Sequence, residues 1–355
     1  MSYTNGLDKP SNYFTTKLFT GNGGTNAITG VGFQPDWIWF KNRTSAQSHA
    51  IVDSVRGRKG LQSNATDAEY TLNSGKDFGT FDSDGFTVLT PEQLNSFNYN
   101  TGSIVSWNWK AGTSFTNDAS ATGIGSIDSA GSVNNDAGFS IVSWTGTGSN
   151  GTIKHGLSTV PKIMIVKERD NANNWFVYHY SLGATKQLIL QETDAEASFT
   201  ATWNDTEPTS SVFSVGTSNG TNRSGGGLIA YCFADTGNKF FKAGSYTGNG
   251  SSSGPFCFTG FKPAFVLGKR TDSAGGWWIS DNKRSSGFNL NDEYLLANDS
   301  QAEADDGSFA SDFLSNGWKA RATNGNFNAS GGSYIFAAFS ENPFVTSTGV
   351  PATAR

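Results

Sequence analysis

Residues 19–41 read FTGNGGTNAITGVGFQPDWIWFK, and the elements of this stretch return twice more along the chain. A Thr-Gly-Xaa-Gly turn comes first, a proline that opens an apolar strand follows at a nearly constant distance, and a lysine lies six residues after the proline. Fixed spacing of this kind indicates an internal repeat, which is more typical of a binding or structural protein than of a single catalytic site. The prolines are Pro35, Pro161 and Pro263, and the lysines are Lys41, Lys167 and Lys269.

The strand that follows each proline is apolar on both faces, as in residues 37–40 (WIWF). A strand that met water on one side would alternate apolar and polar residues. We therefore expect each of these strands to lie in the middle of a sheet, with its second face covered by a neighbouring repeat, a loop or another subunit. A further strand, which ends near Asp53, His179 or Asp281, is predicted to form a hairpin with it.

The composition favours an all-β protein. The 355 residues include 43 Gly, 10 Trp and 27 Phe, whereas charged residues make up only 15% and Met occurs twice. Turn formers and aromatic residues at this level are typical of sheets, and so much aromatic surface argues against a disordered chain. The predicted fold is three tandem β-sandwich modules, jelly-roll-like, with turn-rich loops.

The repeat spacing sets the predicted domain boundaries. The three modules span residues 1–113, 137–236 and 237–344. Residues 114–136 are rich in Gly, Ser, Ala and Asn and are predicted to be a linker. Residues 345–355 are predicted to be a loose tail.

Charge and apolar runs exclude several classes of protein. The net charge of −5 and the lack of a basic stripe argue against nucleic-acid binding, and we interpret the basic residues 56–59 (RGRK) as a solvated loop. No apolar run approaches membrane-spanning length and no export signal is recognised at the start, so we expect synthesis in the cytosol, without export by a classical signal and without membrane insertion. Cys232 and Cys257 lack metal-ligand spacing, and Cys232 is expected to be a buried thiol.

Three short motifs match the patterns of known sites but not their required surroundings. Residues 146–151 (GTGSNG) fit a dinucleotide-binding pattern, yet no helix start follows them. Residues 250–254 (GSSSG) fit a nucleophile elbow, yet the last histidine of the chain precedes them. Residues 82–85 (DSDG) resemble part of a calcium loop, yet the matching turns lack the acids. We interpret all three as turns and predict no catalytic residue, metal site or cofactor.

Four tryptophans are the candidate site residues, namely Trp107, Trp109, Trp277 and Trp278. They would serve either in a sandwich core and an interface, or as stacking platforms for sugar rings, which have apolar faces. Neighbouring residues on a strand point to opposite sides. We therefore expect one of the adjacent pair, Trp277 or Trp278, to be exposed or to lie in an interface.

Several stretches of the first repeat carry a resemblance to a known family. They are residues 19–23 (FTGNG), 32–43 (GFQPDWIWFKNR), 53–57 (DSVRG), 81–86 (FDSDGF) and 107–111 (WNWKA). With them, residues 13–111 resemble a poorly characterised repeat domain of tailed bacteriophages, many of them marine. The resemblance is weaker in the third repeat and weakest in the second. Members of this family look like virion structural proteins, and the resemblance brings no catalytic residue.

These observations predict a non-enzymatic bacteriophage virion protein, which would be a tail, fibre or capsid-decoration component. Its expected partners are other virion proteins and copies of itself, as a homo-oligomer, and its expected location is the virion. The alternative is a lectin-like module of a phage tail that binds host surface glycan and so serves host attachment. A glycan depolymerase is the third alternative.

Overall fold

Strands form most of the secondary structure in the computed structural model, which describes residues 9–237, 240–285 and 289–341. The tail predicted at residues 345–355 lies outside these ranges. Within them, the first strands are β1 (Phe14–Thr20), β2 (Asn26–Thr29), β3 (Trp37–Asn42), β4 (Ala50–Asp53), β5 (Lys59–Gly60), β6 (Tyr70–Thr71), β7 (Phe78–Asp82), β8 (Gly85–Val88) and β9 (Ser103–Trp109). They are followed by β10 (Thr113–Asn117), β11 (Ser129–Asn134), β12 (Phe139–Thr145), β13 (Gly151–Lys154), β14 (Pro161–Glu168), β15 (Trp175–His179), β16 (Lys186–Ile189), β17 (Ala197–Ser198), β18 (Val212–Val215) and β19 (Gly227–Ala234). The last strands are β20 (Phe241–Thr247), β21 (Phe256–Phe258), β22 (Pro263–Arg270), β23 (Trp278–Asp281), β24 (Leu295–Leu296), β25 (Ser311–Leu314), β26 (Gly317–Ala320) and β27 (Ser333–Ser340).

The helices in these ranges are single turns. They are α1 (Ala119–Thr122), α2 (Thr200–Trp203), α3 (Asn219–Asn222) and α4 (Gly325–Asn328), and a 3₁₀ turn covers Pro10–Asn12. None of the helices in the described ranges has the length and apolar character needed to cross a membrane.

Three large sheets carry most of the strands of the described residues. We name them sheet I (β1-β9-β3-β4), sheet II (β10-β11-β12-β19-β14-β15-β16-β17) and sheet III (β20-β27-β22-β23-β24). A smaller sheet packs against one face of each: β2-β8-β7 on sheet I, β13-β18 on sheet II and β21-β26-β25 on sheet III. Each pair of layers encloses its own apolar core, as Ile28 and Phe86 of the small sheet do with Ile38 of sheet I. The prediction of an all-β fold is confirmed, and the paired layers are consistent with a β-sandwich.

The same strand order recurs in the three large sheets. An opening strand is followed across the sheet by the closing strand, the proline strand and the hairpin strand, in the orders β1-β9-β3-β4, β12-β19-β14-β15 and β20-β27-β22-β23. The predicted hairpins are confirmed, and their register agrees. The facing pairs are Trp37 with Asp53, Ile163 with His179, and Phe265 with Asp281.

The proline strands β3, β14 and β22 are buried on both faces, because two different cores lie on either side of them. In β3, Ile38 and Phe40 point into the sandwich core of sheet I, whereas Trp37 and Trp39 point the other way. On that second side the three large sheets meet in one shared central core. The expectation of a covered second face is confirmed, and the cover comes from the other sheets of the same chain.

Each Thr-Gly-Xaa-Gly turn is held by a buried asparagine that the sequence analysis did not identify. In the second turn, Asn222 Oδ1 accepts a hydrogen bond from Thr147 N at 2.9 Å, and its Nδ2 donates to Ser149 O at 2.6 Å and to Gly216 O at 2.9 Å. Asn98 and Asn328 bind the first and third turns in the same way. The signal that could have found them is an Asn-Xaa-Xaa-Xaa-Gly step before each closing strand.

The prediction of a linker at residues 114–136 is wrong. Most of this segment folds into β10, α1 and β11, and the two strands extend sheet II by antiparallel pairing onto β12. A glycine in this segment does not indicate flexibility, because packing excludes a side chain at Gly131. A Cβ there would lie 1.9 Å from Ile141 O of the neighbouring strand.

Candidate functional site: the junctions between the large sheets

The four candidate tryptophans all lie in the interior, each at most 3% exposed. Trp107, Trp109 and Trp277 belong to the shared central core, whereas Trp278 belongs to the sandwich core of sheet III. The adjacent pair therefore faces opposite ways, and Trp277 lies in an interface between two sheets of the same chain. None of the four presents an open ring face to a sugar in this structure.

The first junction joins sheets I and II through a buried ion-pair network. Arg56 Nε lies 2.5 Å from Asp53 Oδ2, and both side chains are fully buried. Tyr231 of sheet II donates its hydroxyl hydrogen to the same oxygen at 2.7 Å. Arg169 of sheet II binds Glu69 with two hydrogen bonds of 2.9 Å. The interpretation of the RGRK stretch as a solvated loop is wrong for Arg56. Its guanidinium is buried in the protein interior, where the Asp53 and Glu69 carboxylates compensate its charge.

The second junction repeats this arrangement between sheets III and I. Arg284 Nε lies 2.6 Å from Asp281 Oδ2, again with both side chains fully buried. Trp107 of sheet I donates its indole N–H to that oxygen at 2.9 Å, in the role that Tyr231 has at the first junction. Arg43 and Arg284 both bind Glu303, at 2.9 Å and 2.8 Å.

The third junction lies between sheets II and III. It keeps a backbone hydrogen bond from a glutamate N–H, which the other two junctions also have, but it lacks their arginines. Glu196 N donates to Thr271 O at 2.9 Å. His179 lies in the register position of the two buried aspartates, and its Nε2 is 3.4 Å from Phe336 O. Leu182 follows three residues later, where the other junctions carry Arg56 or Arg284.

An open cleft of about 400 Å³ lies at this third junction. Its lining is polar and includes Glu196, Asp272 and Ser245, together with Leu182 and Thr271. A volume of this size falls within the range of small-ligand sites, roughly 300–1,000 Å³. The side chain of Glu196 is 28% exposed there, whereas those of Glu69 and Glu303 at the first and second junctions are 8% and 11% exposed.

The pKa values of the junction residues follow from burial and pairing. Burial alone would lower the pKa of the Arg56 guanidinium, but neighbouring anions, Asp53 foremost, raise it above its ordinary value. Burial would raise the pKa of Glu69, but Arg169 and Arg56 bring it below its ordinary value. Burial lowers the pKa of His179 to about 4. The ion pairs of the first junction therefore stay charged at neutral pH, whereas the third junction holds the neutral imidazole of His179.

An aromatic N–H crosses each junction to a backbone carbonyl of the neighbouring sheet region. Trp277 Nε1 donates to Ile189 O at 2.9 Å, and Trp175 Nε1 donates to Gln62 O at 2.8 Å. His49 Nε2 lies 3.0 Å from Leu296 O and completes the set. These three aromatic residues all lie four positions before the register position of Asp53, His179 and Asp281. The candidate residue Trp277 thus acts as a tie between sheets.

The three repeat lysines are buried and bind the backbone. Lys269 Nζ donates to Gly275 O at 2.8 Å and to Thr193 O of the neighbouring sheet region at 2.9 Å. Lys41 and Lys167 each donate to the carbonyl of the last residue of their own strand and to a carbonyl of the loop that follows. Burial lowers the pKa of each lysine to about 8. Their place at the ends of the proline strands is structural, since they satisfy carbonyls that would otherwise be unpaired.

The three short motifs form turns between strands, as interpreted from the sequence. Residues 146–151 join β12 to β13, and residues 250–254 lie between β20 and β21. In the turn between β7 and β8, the Asp84 carboxylate accepts hydrogen bonds from Gly32 N at 2.7 Å and Gly30 N at 3.0 Å. Within the described ranges, no group of three or more His, Cys, Asp or Glu could hold a metal ion.

The chain matches the model of a protein family over nearly its whole length. Residues 9–343 match a family described as a domain of unknown function (DUF7483). The chain belongs to this family. Since the match runs through sheets I, II and III, the DUF7483 family is defined over the whole three-sheet arrangement. None of the curated proteins compared with the chain matches it. Membership of the DUF7483 family therefore leaves the activity to be argued from the geometry.

Proposed function

We propose that this chain is a non-enzymatic structural protein of a bacteriophage particle, a tail, fibre or capsid-surface component. In this proposal it consists of three tandem jelly-roll-like β-sandwich modules and assembles with other virion proteins and with copies of itself. The observation that carries the proposal is the shared central core, sealed at two junctions by buried ion pairs. A body of this kind is a rigid scaffold, and the phage setting is supported by the resemblance of residues 13–111 described above.

The use of the ionisable residues supports a structural role. The register position that holds Asp53 and Asp281 in two sheets holds His179 in the other, and all three bond across or within a junction. His155 Nε2 lies 3.2 Å from Thr209 O, and burial lowers the pKa of this histidine to about 4. These two aspartates and two histidines are thus engaged in holding the chain together.

An exposed apolar pair offers a contact surface for assembly. Phe256 and Phe258 on β21 are 45% and 56% exposed, and β21 lies at the edge of its small sheet. Exposed aromatic residues next to a free strand edge are typical of surfaces that associate with other proteins. The apolar surface of the proline strands, in contrast, is covered within the chain, so assembly would rely on outer surfaces.

Particle analysis and sedimentation test the proposal together. We expect antibody labelling and mass spectrometry to find the chain at fixed stoichiometry in purified phage particles, and we expect the isolated chain to self-associate. Phe256→Ser with Phe258→Ser should weaken self-association without lowering the melting temperature, because both side chains face solvent. A chain that stays monomeric and is missing from washed particles would refute the proposal.

Host-glycan binding is the second candidate function, and the cleft at the third junction is the observation that favours it. Its hydroxyl and carboxylate lining could hydrogen-bond to a saccharide. A glycan array with the intact chain tests this candidate, and reducing-sugar release from host polysaccharide tests the depolymerase alternative. Binding lost on substitution of Ser245 or Glu196 would support the glycan candidate, while an array without hits would remove it.

A further inference from the structure

The three junctions place one glutamate in the same backbone position. Glu69 N donates to Arg169 O at 2.7 Å, Glu303 N donates to Arg43 O at 2.9 Å, and Glu196 N donates to Thr271 O at 2.9 Å. The acceptor residues are equivalent as well. Each follows its repeat lysine by two positions, and each donates its own N–H to the carbonyl of the first residue of a closing strand.

The first two junctions show which group this glutamate binds. Arg169 approaches Glu69 through Nε and Nη2, both at 2.9 Å, and Arg43 approaches Glu303 through the same two nitrogens. This two-point contact matches the planar fork of a guanidinium to the two oxygens of a carboxylate. Two parts of the same fold therefore use the position to bind an arginine side chain.

At the third junction both arginine positions carry a different residue. Thr271 stands where Arg43 and Arg169 stand at the other junctions, and Leu182 stands where the buried Arg56 and Arg284 stand. Their shorter side chains leave the space that forms the cleft. Glu196 keeps the carboxylate but loses both guanidinium partners.

A further acceptor of the guanidinium, a serine hydroxyl, is retained in the cleft. At the first junction Arg169 Nη1 also lies 3.5 Å from Ser143 Oγ. Ser245 has the same register position on the opening strand of sheet III, and it lines the cleft with Glu196. Glu196 and Asp272 contribute carboxylates to the lining, and the part of the chain that the structure describes contributes no cationic side chain to that lining.

Lys186 and Arg270 lie at the edge of the cleft, and both leave room for a guanidinium beside Glu196. Lys186 Nζ is 3.4 Å from Glu196 Oε1, as Lys59 Nζ is 3.9 Å from Glu69 Oε1 at the first junction, where a guanidinium is bound as well. Arg270 is engaged with the Asp272 carboxylate at 2.9 Å and 3.2 Å. A lysine at the rim is thus compatible with a guanidinium on the same carboxylate.

We propose that the cleft at the third junction binds a guanidinium group supplied from outside the chain, held by the Glu196 carboxylate and the Ser245 hydroxyl. The group would come from an arginine side chain of a partner polypeptide or from a small guanidinium compound. The inference is independent of the proposed function, because it follows from the comparison of the three junctions.

Titration of the intact chain with three matched tripeptides tests the binding. The probes are acetylated and amidated Gly-Arg-Gly, its citrulline analogue and its lysine analogue, followed by ligand-observed NMR. We expect the arginine peptide to bind and both analogues to bind about tenfold more weakly, since neither reproduces a charged planar fork. Argininamide alone serves as the small-molecule probe. Tighter binding of the tripeptide assigns a polypeptide source, and exclusion of the tripeptide assigns a small one.

Glu196→Gln should weaken binding of the arginine peptide by about tenfold. It should leave the melting temperature of the protein unchanged, since the Glu196 side chain is partly exposed. Glu192→Gln is the matched control, a nearby carboxylate outside the cleft lining. Equal binding of the three peptides, saccharide binding in their place, or full retention of arginine binding by Glu196→Gln would overturn the proposal.

Thr271→Arg tests the same idea from inside the chain. It restores the arginine that the other junctions carry, so we expect it to fill the cleft, abolish peptide binding and raise the melting temperature by about 2 °C. Thr271→Gln, which is polar but has neither the charge nor the guanidinium, should not raise it. If Thr271→Arg folds and still binds the peptide as the unchanged chain does, the cleft is not the guanidinium site.

Discussion

Single buried polar residues fix the turns on which the sheets depend. Asn222 has no exposed surface, yet both its amide oxygen and its amide nitrogen are hydrogen-bonded to backbone groups of the second turn. The first glycine of that turn is equally constrained, because a Cβ on Gly146 would lie 2.2 Å from Arg223 O. The turn therefore requires a small residue on one side and a donor–acceptor side chain on the other.

The Asn222→Ala substitution should cost about 3 kcal/mol of unfolding free energy, because it leaves several buried backbone groups without partners. Urea unfolding followed by tryptophan fluorescence measures the change. Asn150→Ala is the matched control, since Asn150 makes an exposed hydrogen bond to Asn204 in the same region and its loss should change the free energy by less than about 0.5 kcal/mol. Equal losses in the two variants would contradict the role given to Asn222.

At the scale of elements, β11 shows how composition conceals a strand. Residues 129–134 read SAGSVN and resemble a flexible connection, yet they pair along their whole length with β12. A glycine inside a strand usually marks close approach of another backbone, and Gly131 does so against Ile141. The pairing with β10 on the other side makes this part of the chain the edge of sheet II.

Gly131→Ala should loosen β10 and β11, since the added methyl group would overlap Ile141 O and force the strands apart. Hydrogen exchange followed by mass spectrometry should show faster exchange at residues 113–117 and 129–134, with little change in sheets I and III. Ala130→Ser, the neighbouring position on the opposite side of the strand, is the control and should exchange as the unchanged chain does. Uniform acceleration over the chain would argue that this edge does not open separately.

At the scale of the whole molecule, stability depends on contacts between sheets that meet in one core. His49 and His179 lie at two of the junctions, and burial keeps the pKa of His179 near 4 and that of His49 well below its ordinary value. His155 is buried within the layers of sheet II, also with a pKa of about 4. The folded chain thus holds its histidines neutral at a pH where an unfolded chain would protonate them.

This difference predicts a loss of stability on acidification. As pH falls from about 6.5 towards 4, the unfolded chain binds protons at its histidines and the folded chain does not, so the unfolding free energy decreases. Each buried histidine should account for roughly 1–2 kcal/mol between pH 7 and pH 5. In urea unfolding, His179→Gln should show a smaller difference between the two pH values than the unchanged chain, whatever its stability at pH 7. An unchanged difference would mean that His179 does not contribute.

Local patterns in the sequence predict the sheets better than the contacts between them. The doubly apolar proline strands, the hairpins and the turns follow from patterns a few residues long, such as the WIWF of residues 37–40. The local sequence around Arg56 does not indicate burial, because Tyr231 of sheet II, which binds Arg56 in addition to its near neighbour Asp53, lies far away in the sequence. The sequence does not indicate the cleft either. The cleft lies where Leu182 and Thr271 stand in place of the longer arginines of the other junctions, and this equivalence is visible only in the folded chain.

The closed meeting of sheets I, II and III around a single core limits how this architecture can change in size. An open array of repeats lengthens when another unit stacks on its end. Here each large sheet already borders the two others, so an added copy would find no free inner face to cover its own apolar side. Growth in this family should therefore take the form of longer outer loops and added edge strands, as β10 and β11 already illustrate, rather than a fourth sheet.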